Sequence, residues 1–417
     1  MSKSKNISVI DIGSSKITTL IGQTSYDELG NEVSLNIIGV SSSPSRGIKK
    51  GQIVDIEEAV EATIASVEAA ERMAGFNLDR AYISVGGGHI SSLNSSGVVA
   101  ISSPDKEIIS EDVDRVIEAA RAVSMPVSRE VIHVMPREYI VDGEAGVRDP
   151  VGMTGVRLEV DTHLVTASSP ALKNLSKTVE EVGVDIEGLV FSGLASSYST
   201  VTDTEKELGC VLVDIGSGTT SVAAFVEGAL SYSTGIPIGA KNVTNDLAIG
   251  LRVSLEKAEE IKLKLEKMKD KKEKQIEIPD GDDPKMVQVR TLTEGIIKPR
   301  LNEIFSMVRL ELEKAGLINR IPSGAIITGG GALTMGTADS AKRTLGLPVR
   351  VAKPSGVGGL VDDILETPYA AAIGLLVYAS KQQVSESVSN VSLPKNIKLP
   401  NTAIFGKVWG AIRDLLP

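Results

Sequence analysis

The feature that most constrains the fold of this chain is a short motif that occurs twice. Residues 7–20 read Ile-Ser-Val-Ile-Asp-Ile-Gly-Ser-Ser-Lys-Ile-Thr-Thr-Leu, and residues 211–223 read Val-Leu-Val-Asp-Ile-Gly-Ser-Gly-Thr-Thr-Ser-Val-Ala. Each copy is a β-rich run interrupted by Asp-Ile-Gly-Ser, a pattern typical of a β-hairpin with a tight tip. Because a chain of 417 residues has room for more than one domain, the repeat predicts an α/β protein made of two related halves.

The tips of the two hairpins have the composition of a phosphate-binding turn. Glycine lets the backbone approach a ligand closely, and successive N–H groups can surround an anion. Hydroxyl groups add donors, and a lysine adds a point charge. The residues predicted to hold phosphate are Gly13, Ser14, Ser15 and Lys16 in the first tip and Gly216, Ser217, Gly218 and Thr219 in the second.

An aspartate precedes each tip, Asp11 in the first half and Asp214 in the second. A carboxylate beside phosphates is repelled unless a cation lies between them, and Mg²⁺ keeps several of its waters when proteins bind it. We therefore predict that Asp11 and Asp214 hold Mg²⁺. One such turn is weak support, since most Asp-Gly hairpins are only hairpins; two in matching halves are much stronger.

Residues 325–333, Ala-Ile-Ile-Thr-Gly-Gly-Gly-Ala-Leu, predict a buried strand followed by a turn into a helix. Gly329, Gly330 and Gly331 carry no side chains, so a flat ring or a sugar could lie against their backbone. An ordinary strand-to-helix turn would have the same sequence. Residues 367–379 contain alanines and a glycine that allow close helix packing.

Taken in order, these four elements resemble the actin-like ATPase superfamily, which also holds sugar kinases and the heat-shock seventy chaperones. The resemblance spans nearly the whole chain. It implies an α/β, actin-like (ribonuclease H-like) duplicated two-domain ATPase fold, with ATP and Mg²⁺ between the halves. Ser217 departs from the superfamily pattern, in which a glycine is common at this position of the second hairpin. No residue is assigned as a catalytic base, and we expect at most slow hydrolysis, with the nucleotide acting as a conformational switch.

The position of the inserted subdomain in the first half indicates which family of the superfamily the chain resembles. The short gap between a strand near residues 35–40 and a helix at 54–75 cannot hold a subdomain, whereas residues 81–167 contain further strand-like runs and a helix at 110–122. The chain therefore has no subdomain before this helix and an inserted subdomain after it. In this arrangement it resembles the FtsA family of bacterial cell-division proteins. The supporting motifs are residues 81–89 (Ala-Tyr-Ile-Ser-Val-Gly-Gly-Gly-His), 134–142 (Val-Met-Pro-Arg-Glu-Tyr-Ile-Val-Asp), 149–153 (Asp-Pro-Val-Gly-Met) and 155–159 (Gly-Val-Arg-Leu-Glu).

The resemblance implies the following division of the chain. We expect residues 1–80 with 168–200 and 365–380 to form the first core subdomain, 81–167 the relocated SHS2-like subdomain, 201–236 with 317–364 the second core subdomain, 237–316 its inserted subdomain, 381–401 a linker and 402–417 a membrane-targeting amphipathic helix.

The second insert contains a charged run, residues 256–283, that leads to a lysine-rich helix near Lys274. Most such runs are solvated helix faces, so we give it no catalytic role. For the next helix, at 292–314, the resemblance implies two roles: its inner face approaches the adenosine, and its outer face receives the C-terminal tail of FtsZ. Arg300 is the residue predicted to meet that acidic tail. An exposed or locally paired arginine is the alternative.

The last 16 residues predict a short amphipathic helix after a polar linker. Its apolar residues fall on adjoining rows of a helix: Ile404, Phe405, Val408, Trp409, Ile412, Leu415 and Leu416. From residue 391 to residue 417, three lysines and an arginine outnumber a single acid, Asp414, which favours an anionic lipid surface. Docking on the protein's own core or on a partner is the alternative.

The overall charge and cysteine content exclude several classes of protein. A net charge of -10 disfavours nucleic-acid binding, and one cysteine excludes a disulfide framework. Because the N-terminus lacks the pattern of a secretory signal, we expect a cytoplasmic protein. The resemblance implies a peripheral position on the inner face of the cell membrane, at the division septum.

The resemblance therefore implies an ATP-binding actin-like division protein that polymerises on the cytoplasmic membrane, tethers FtsZ filaments to it and helps assemble later division proteins. Two alternatives stay open: a scaffold similar to the pilus-assembly protein PilM, which shares the relocated subdomain, and a soluble sugar-type kinase. A kinase needs a catalytic aspartate facing a polyol pocket, and we find no sugar-binding signature in the sequence.

Overall fold

The structure is a computed structural model that describes residues 4–26, 32–103, 105–268, 274–278, 285–360 and 364–389. The predicted terminal helix, residues 402–417, and its membrane-facing side chains lie outside the described residues.

The strands are β1 (Ser4–Ile12), β2 (Lys16–Tyr26), β3 (Glu32–Pro44), β4 (Ile48–Lys49), β5 (Gln52–Ile53), β6 (Arg80–Val85), β7 (Ser91–Ala100), β8 (Arg129–Val141), β9 (Glu144–Val147), β10 (Arg157–Ser168), β11 (Asp185–Phe191), β12 (Cys210–Ile215), β13 (Thr220–Val226), β14 (Ala229–Ile236), β15 (Gln275–Ile278), β16 (Lys285–Gln288), β17 (Ala325–Thr328), β18 (Val349–Val351) and β19 (Gly358–Gly359).

The helices are α1 (Ile56–Ala74), α2 (Ser110–Arg121), α3 (Ser169–Glu181), α4 (Ser192–Thr200), α5 (Asp203–Leu208), α6 (Ala240–Leu251), α7 (Leu255–Lys267), α8 (Val289–Leu292), α9 (Lys298–Lys314), α10 (Thr337–Leu345) and α11 (Ala370–Ser389). A π-helical turn, Thr293–Ile297, joins α8 to α9, and short 3₁₀ turns lie at Gly330–Leu333 and Thr367–Tyr369.

Two sheets repeat one topology. The first has the order β11-β6-β1-β2-β3-β19 and the second has the order β14-β13-β12-β17-β18. In each, three consecutive antiparallel strands are followed by two strands parallel to the first of the three. The hairpins match in register, since Ile12 pairs with Ile17 and Ile215 with Thr220. The duplicated α/β fold predicted from the sequence motif is therefore confirmed.

Apolar side chains on both faces of the second sheet explain how it joins the two halves. Leu212 and Phe225 point to the same core as the apolar residues of α4 and α11, whereas Val211 and Val213 face the core of the second half. All of β12 and β13 is buried, as expected for strands that are covered on both faces. This packing fixes the two hairpin tips relative to each other.

The relocated subdomain has its own sheet, β7-β10-β8-β9, with α2 packed on it over a small apolar core. The predicted boundary at residue 81 is wrong, because β6 lies between β1 and β11 in the first sheet. Residues 81–85 are almost fully buried there, and their continuous apolar character fits a central parallel strand. Likewise β19, placed by prediction in the second core, pairs with β3 of the first.

The predicted helix at 54–75 forms α1, and its ends have clear local causes. The Asp55 side chain accepts a hydrogen bond from the backbone N–H of Glu58, which caps the N-terminus. Gly75 ends the helix with φ 80°, a left-handed conformation that glycine adopts without steric cost.

Two other sequence predictions are wrong in detail. Lys274 is not helical, because the charged helix α7 ends at Lys267 and Lys274 directly precedes β15. Residues 381–389, predicted as the start of a linker, continue helix α11. Lysine, glutamine and glutamate favour helix, and no proline occurs between Ser380 and Pro394, so nothing local stops the helix at Ser380. In the described part of the chain, no helix has the length and apolarity needed to cross a bilayer.

Candidate functional site

A cavity of about 610 Å³ lies between the two halves, and its walls come from both hairpins. It gathers every residue that the sequence predicted for phosphate, metal and the flat ring: Asp11, Gly13, Ser14, Ser15, Lys16, Asp214, Gly216, Ser217, Gly218, Thr219, Gly329, Gly330 and Gly331. Residues that lie far apart in the sequence thus converge on one site.

The two hairpin tips have the same backbone closure and face each other. The N–H of Gly13 donates to the Lys16 carbonyl at 3.1 Å, and the N–H of Gly216 donates to the Thr219 carbonyl at 2.8 Å. A Cβ added at Gly218 would lie 2.9 Å from the Ser14 hydroxyl oxygen. There is therefore no room for a side chain where the second tip meets the first.

Each aspartate is held by a serine from a neighbouring element. The Ser84 hydroxyl on β6 donates to Asp11 Oδ1 at 2.5 Å, and the Ser196 hydroxyl on α4 donates to Asp214 Oδ2 at 2.5 Å. Ser196 belongs to the first half and Asp214 to the second, so this bond crosses between the halves. Neither serine was singled out in the sequence, because each reaches its aspartate only through the tertiary fold.

Burial makes both carboxyl groups harder to ionise than a carboxyl group in water. Burial raises the pKa of Asp11, although the Ser84 hydrogen bond and the charge of Lys16 oppose it. Burial also raises the pKa of Asp214 to about 6, against the Ser196 hydrogen bond and with a further contribution from the nearby Asp11 charge. Two carboxylates that are both harder to ionise than usual are stabilised by a shared cation.

The donor set fits Mg²⁺ better than a metal that needs a full protein cage. Among the described residues, no three His, Cys, Asp or Glu side chains come together as a metal cluster. Two carboxylates are enough for Mg²⁺, which keeps several waters and takes phosphate oxygens as further ligands.

Lys16 is the cation nearest to Asp11 in the sequence, and it occupies the first position of β2. Burial lowers the pKa of its ammonium group to about 8, and the charge of Asp11 opposes this. Its Nζ lies 3.1 Å from the centroid of the Tyr369 ring. The ammonium is therefore partly removed from water and stays next to an aromatic face.

The three glycines form a bare floor beside Asp214. Gly329 has φ 82°, and a Cβ there would lie 2.2 Å from Asp214 Oδ1. A Cβ at Gly331 would lie 2.3 Å from the Ile215 side chain. Gly330 lies open toward Pro368, with its nearest contact at 3.9 Å. Backbone without side chains at this position suits a flat ligand.

The sequence analysis missed the wall that α6 and α7 contribute, because it treated the charged run as a solvated face. Lys262 is only 8% exposed. Its ammonium donates to the Thr244 hydroxyl at 2.9 Å and to Glu259 Oε2 at 2.8 Å, and all three residues line the cavity. Glu256, Glu259, Leu263 and Glu266 recur at helical spacing on the cavity side of α7. This helical spacing could have identified the cavity-facing side of α7 from the sequence.

Three buried hydroxyls at the cavity wall have no hydrogen-bond partner within the described chain: those of Ser45, Thr334 and Thr367. Buried polar groups are almost always paired, and leaving one unpaired costs about 1–3 kcal/mol.

Arg300 lies outside this cavity and is already paired. Its guanidinium binds both oxygens of Asp246, at 2.7 and 2.9 Å, and also bonds Glu303. The locally paired alternative therefore describes Arg300 in this structure. The contact of Arg300 with the FtsZ tail stays a prediction. An acidic partner would have to compete with Asp246 for the guanidinium.

Two sequence models match the chain: one described as "SHS2 domain inserted in FTSA" over residues 87–166 and one described as "Cell division protein FtsA" over residues 211–374. The cell division protein FtsA of Pseudomonas aeruginosa is 39% identical over 396 residues, which cover 93% of each chain. The chain belongs to the FtsA family of cell-division proteins. The first match starts after β6 and so agrees with the observed extent of the relocated sheet.

Solved structures show that this FtsA family member has an actin-like fold. A PilM-PilN type IV pilus biogenesis complex contains a chain with TM-score 0.62 and 17% identity, covering 89% of this chain and 98% of that one. MreB5 of Spiroplasma citri bound to ADP gives TM-score 0.56 and 13% identity, covering 93% and 99%. At such low identity these likenesses show the fold alone, so the sequence relatives favour FtsA over the PilM alternative.

Proposed function

We propose that this FtsA family member binds ATP with Mg²⁺ in the cleft between its halves, polymerises on the inner face of the cytoplasmic membrane and tethers FtsZ filaments there. The observation that carries the proposal is the convergence of both Asp-Ile-Gly-Ser hairpins, two carboxylates with raised pKa values and a partly buried lysine on one cavity of about 610 Å³.

The residues of the cleft divide into roles that follow from their chemistry. The tips at 13–16 and 216–219 supply backbone N–H groups, hydroxyls and the Lys16 charge for the phosphates. Asp11 and Asp214 hold Mg²⁺, largely through water. The glycine floor at 329–331 and the Thr244–Glu259–Lys262 wall surround the adenosine. A Mg²⁺ ion bound with the nucleotide would supply positive charge to the two carboxylates.

The nucleotide contacts residues of both halves, and this is the basis for a conformational switch. Ser196 of the first half already holds Asp214 of the second. A ligand that binds one relative position of the halves better than another shifts the population toward that position by its difference in affinity. We propose no residue as a catalytic base.

Isothermal titration calorimetry with ATP tests the nucleotide site. We expect saturable, Mg²⁺-dependent binding that Asp11→Asn weakens. A chain that binds no ATP in the presence of Mg²⁺ would refute the proposal.

FtsZ tethering is tested by co-sedimentation with FtsZ and competition with its C-terminal tail peptide. If Arg300 receives the acidic tail, Asp246→Asn should raise the affinity for the tail, because it removes the internal competitor for the guanidinium. Arg300→Ala should lower it. Equal affinities of both variants and the parent chain would exclude Arg300 from the contact.

The terminal segment 402–417 is proposed as the membrane anchor. One short amphipathic helix binds weakly, whereas many tails on one filament bind together with raised avidity. We therefore expect deletion of 402–417 to abolish sedimentation with anionic liposomes and to leave ATP binding unchanged. Undiminished sedimentation would place the anchor elsewhere.

A further inference from the structure

Lys16 has one close side-chain neighbour that the roles above leave unexplained. Tyr369 lies in the 3₁₀ turn just before α11, and its ring centroid is 3.1 Å from Lys16 Nζ. Among the described residues, the Lys16 ammonium forms no hydrogen bond or ion pair. The aromatic face is therefore the direct contact that fixes where this charge lies.

The ring is itself held by rigid backbone. The N–H of Tyr369 donates to the Glu366 carbonyl at 3.0 Å, and α11 begins at the next residue. α11 packs closely on α4, since a Cβ at Gly374 would lie 1.9 Å from the Ala195 carbonyl oxygen. Such tight packing leaves the start of α11 little freedom to move.

The neighbours of Tyr369 in the same turn face the proposed ligand. Thr367, Pro368 and Ala371 line the cavity, and the Tyr369 ring contacts the ammonium of Lys16, which lines the cavity as well. The hydroxyl of Thr367 is buried and has no partner in the described chain. The turn thus approaches the cavity through Thr367 and Pro368 and supports the lysine through Tyr369.

A flexible lysine loses rotamer entropy when it is fixed on a ligand, because its side chain has four rotatable bonds. A ring that already holds the ammonium in place removes part of this cost before the ligand arrives. A partly desolvated ammonium over an aromatic face is attracted by the ring quadrupole. An aliphatic side chain of the same size would supply the packing without this attraction.

We propose that Tyr369 is a positioning residue that holds the Lys16 ammonium by a cation–π contact and presents it to the phosphates. The inference rests on the proposed nucleotide site. It adds α11 to the elements that form the phosphate contact, because the group that orients Lys16 belongs to the turn that starts this helix.

The first experiment needs no nucleotide. In the full chain with ¹³C-labelled lysine, the Lys16 ε-CH₂ resonance, assigned from Lys16→Arg, should show an upfield ring-current shift. Tyr369→Phe should keep this shift and Tyr369→Leu should remove it. A Lys16 resonance at the ordinary position in the parent chain would overturn the cation–π contact.

The second experiment measures ATP affinity while the ring is changed almost isosterically. Phenylalanine with one, two and three fluorines at position 369 keeps the volume but weakens the ring quadrupole step by step. We expect the ATP dissociation constant to rise steadily across the series to about tenfold, and to stay constant in a Lys16→Met background. A flat series, or the same rise with Lys16→Met, would overturn the positioning role.

These outcomes separate the inference from the proposed function. If the parent chain shows the ring-current shift but binds no ATP, the contact exists and the nucleotide site is refuted. If ATP binds and the fluorinated series is flat, the nucleotide site stands and Tyr369 has only a packing role.

Discussion

The raised pKa of Asp214 makes the stability of the ligand-free fold depend on pH. Its pKa lies at about 6 in the fold, against an ordinary value of 3.8. Because the folded state binds this proton more tightly than the unfolded chain, the contribution of Asp214 to stability is fully present below about pH 4 and is lost as the pH rises through about 6. The asparagine side chain of the Asp214→Asn variant cannot ionise, so the free energy of unfolding of this variant should not show this decrease.

The expected magnitude follows from the two pKa values. At about 1.4 kcal/mol for each tenfold change in proton affinity, the difference amounts to about 3 kcal/mol. The free energy of unfolding of Asp214→Asn, relative to the parent chain, should therefore rise by about 3 kcal/mol between pH 4 and pH 8. The amide oxygen of asparagine can still accept the bond from Ser196, so the change removes mainly the charge.

Urea denaturation of the ligand-free protein, followed by circular dichroism at several pH values, provides the measurement. The matched control is Asp185→Asn, since Asp185 is exposed at the start of β11. Saturating ATP with Mg²⁺ should reduce the difference, because the cation compensates the charge in the parent chain only. An Asp214→Asn variant that tracks the parent chain at every pH would show that the buried charge carries no such cost.

Two other substitutions probe the cavity walls. Gly329→Ala should abolish ATP binding and destabilise the fold, because its Cβ would lie 2.2 Å from Asp214 Oδ1. Gly75→Ala, at φ 80° with open space around it, should cost only the left-handed conformation, about 1–2 kcal/mol, and leave ATP binding intact. Lys262→Met should weaken ATP binding by about tenfold, as expected for the loss of one charge-assisted contact. The exposed Lys264→Met on the same helix should not, and calorimetry that finds equal effects would exclude the α7 wall from the site.

The sequence determined the local chemistry of the site. The repeated Asp-Ile-Gly-Ser motif was sufficient to predict two hairpins, since tight tips and alternating strands depend on neighbouring residues. The glycine run predicted the bare floor for the same local reason. Helix α1 was found to within two residues at its start, because Asp55 and Gly75 cap it through local contacts.

Contacts between distant residues could be decided only by the tertiary structure. Ser84 and Ser196 reach their aspartates from other strands and helices, and Tyr369 meets Lys16 across more than 300 residues of chain. The charge pattern of α7 looked like a solvated face until folding buried Lys262 against Thr244. The pKa values that make the two aspartates unusual arise from burial, and burial is a property of the packed fold rather than of any local segment.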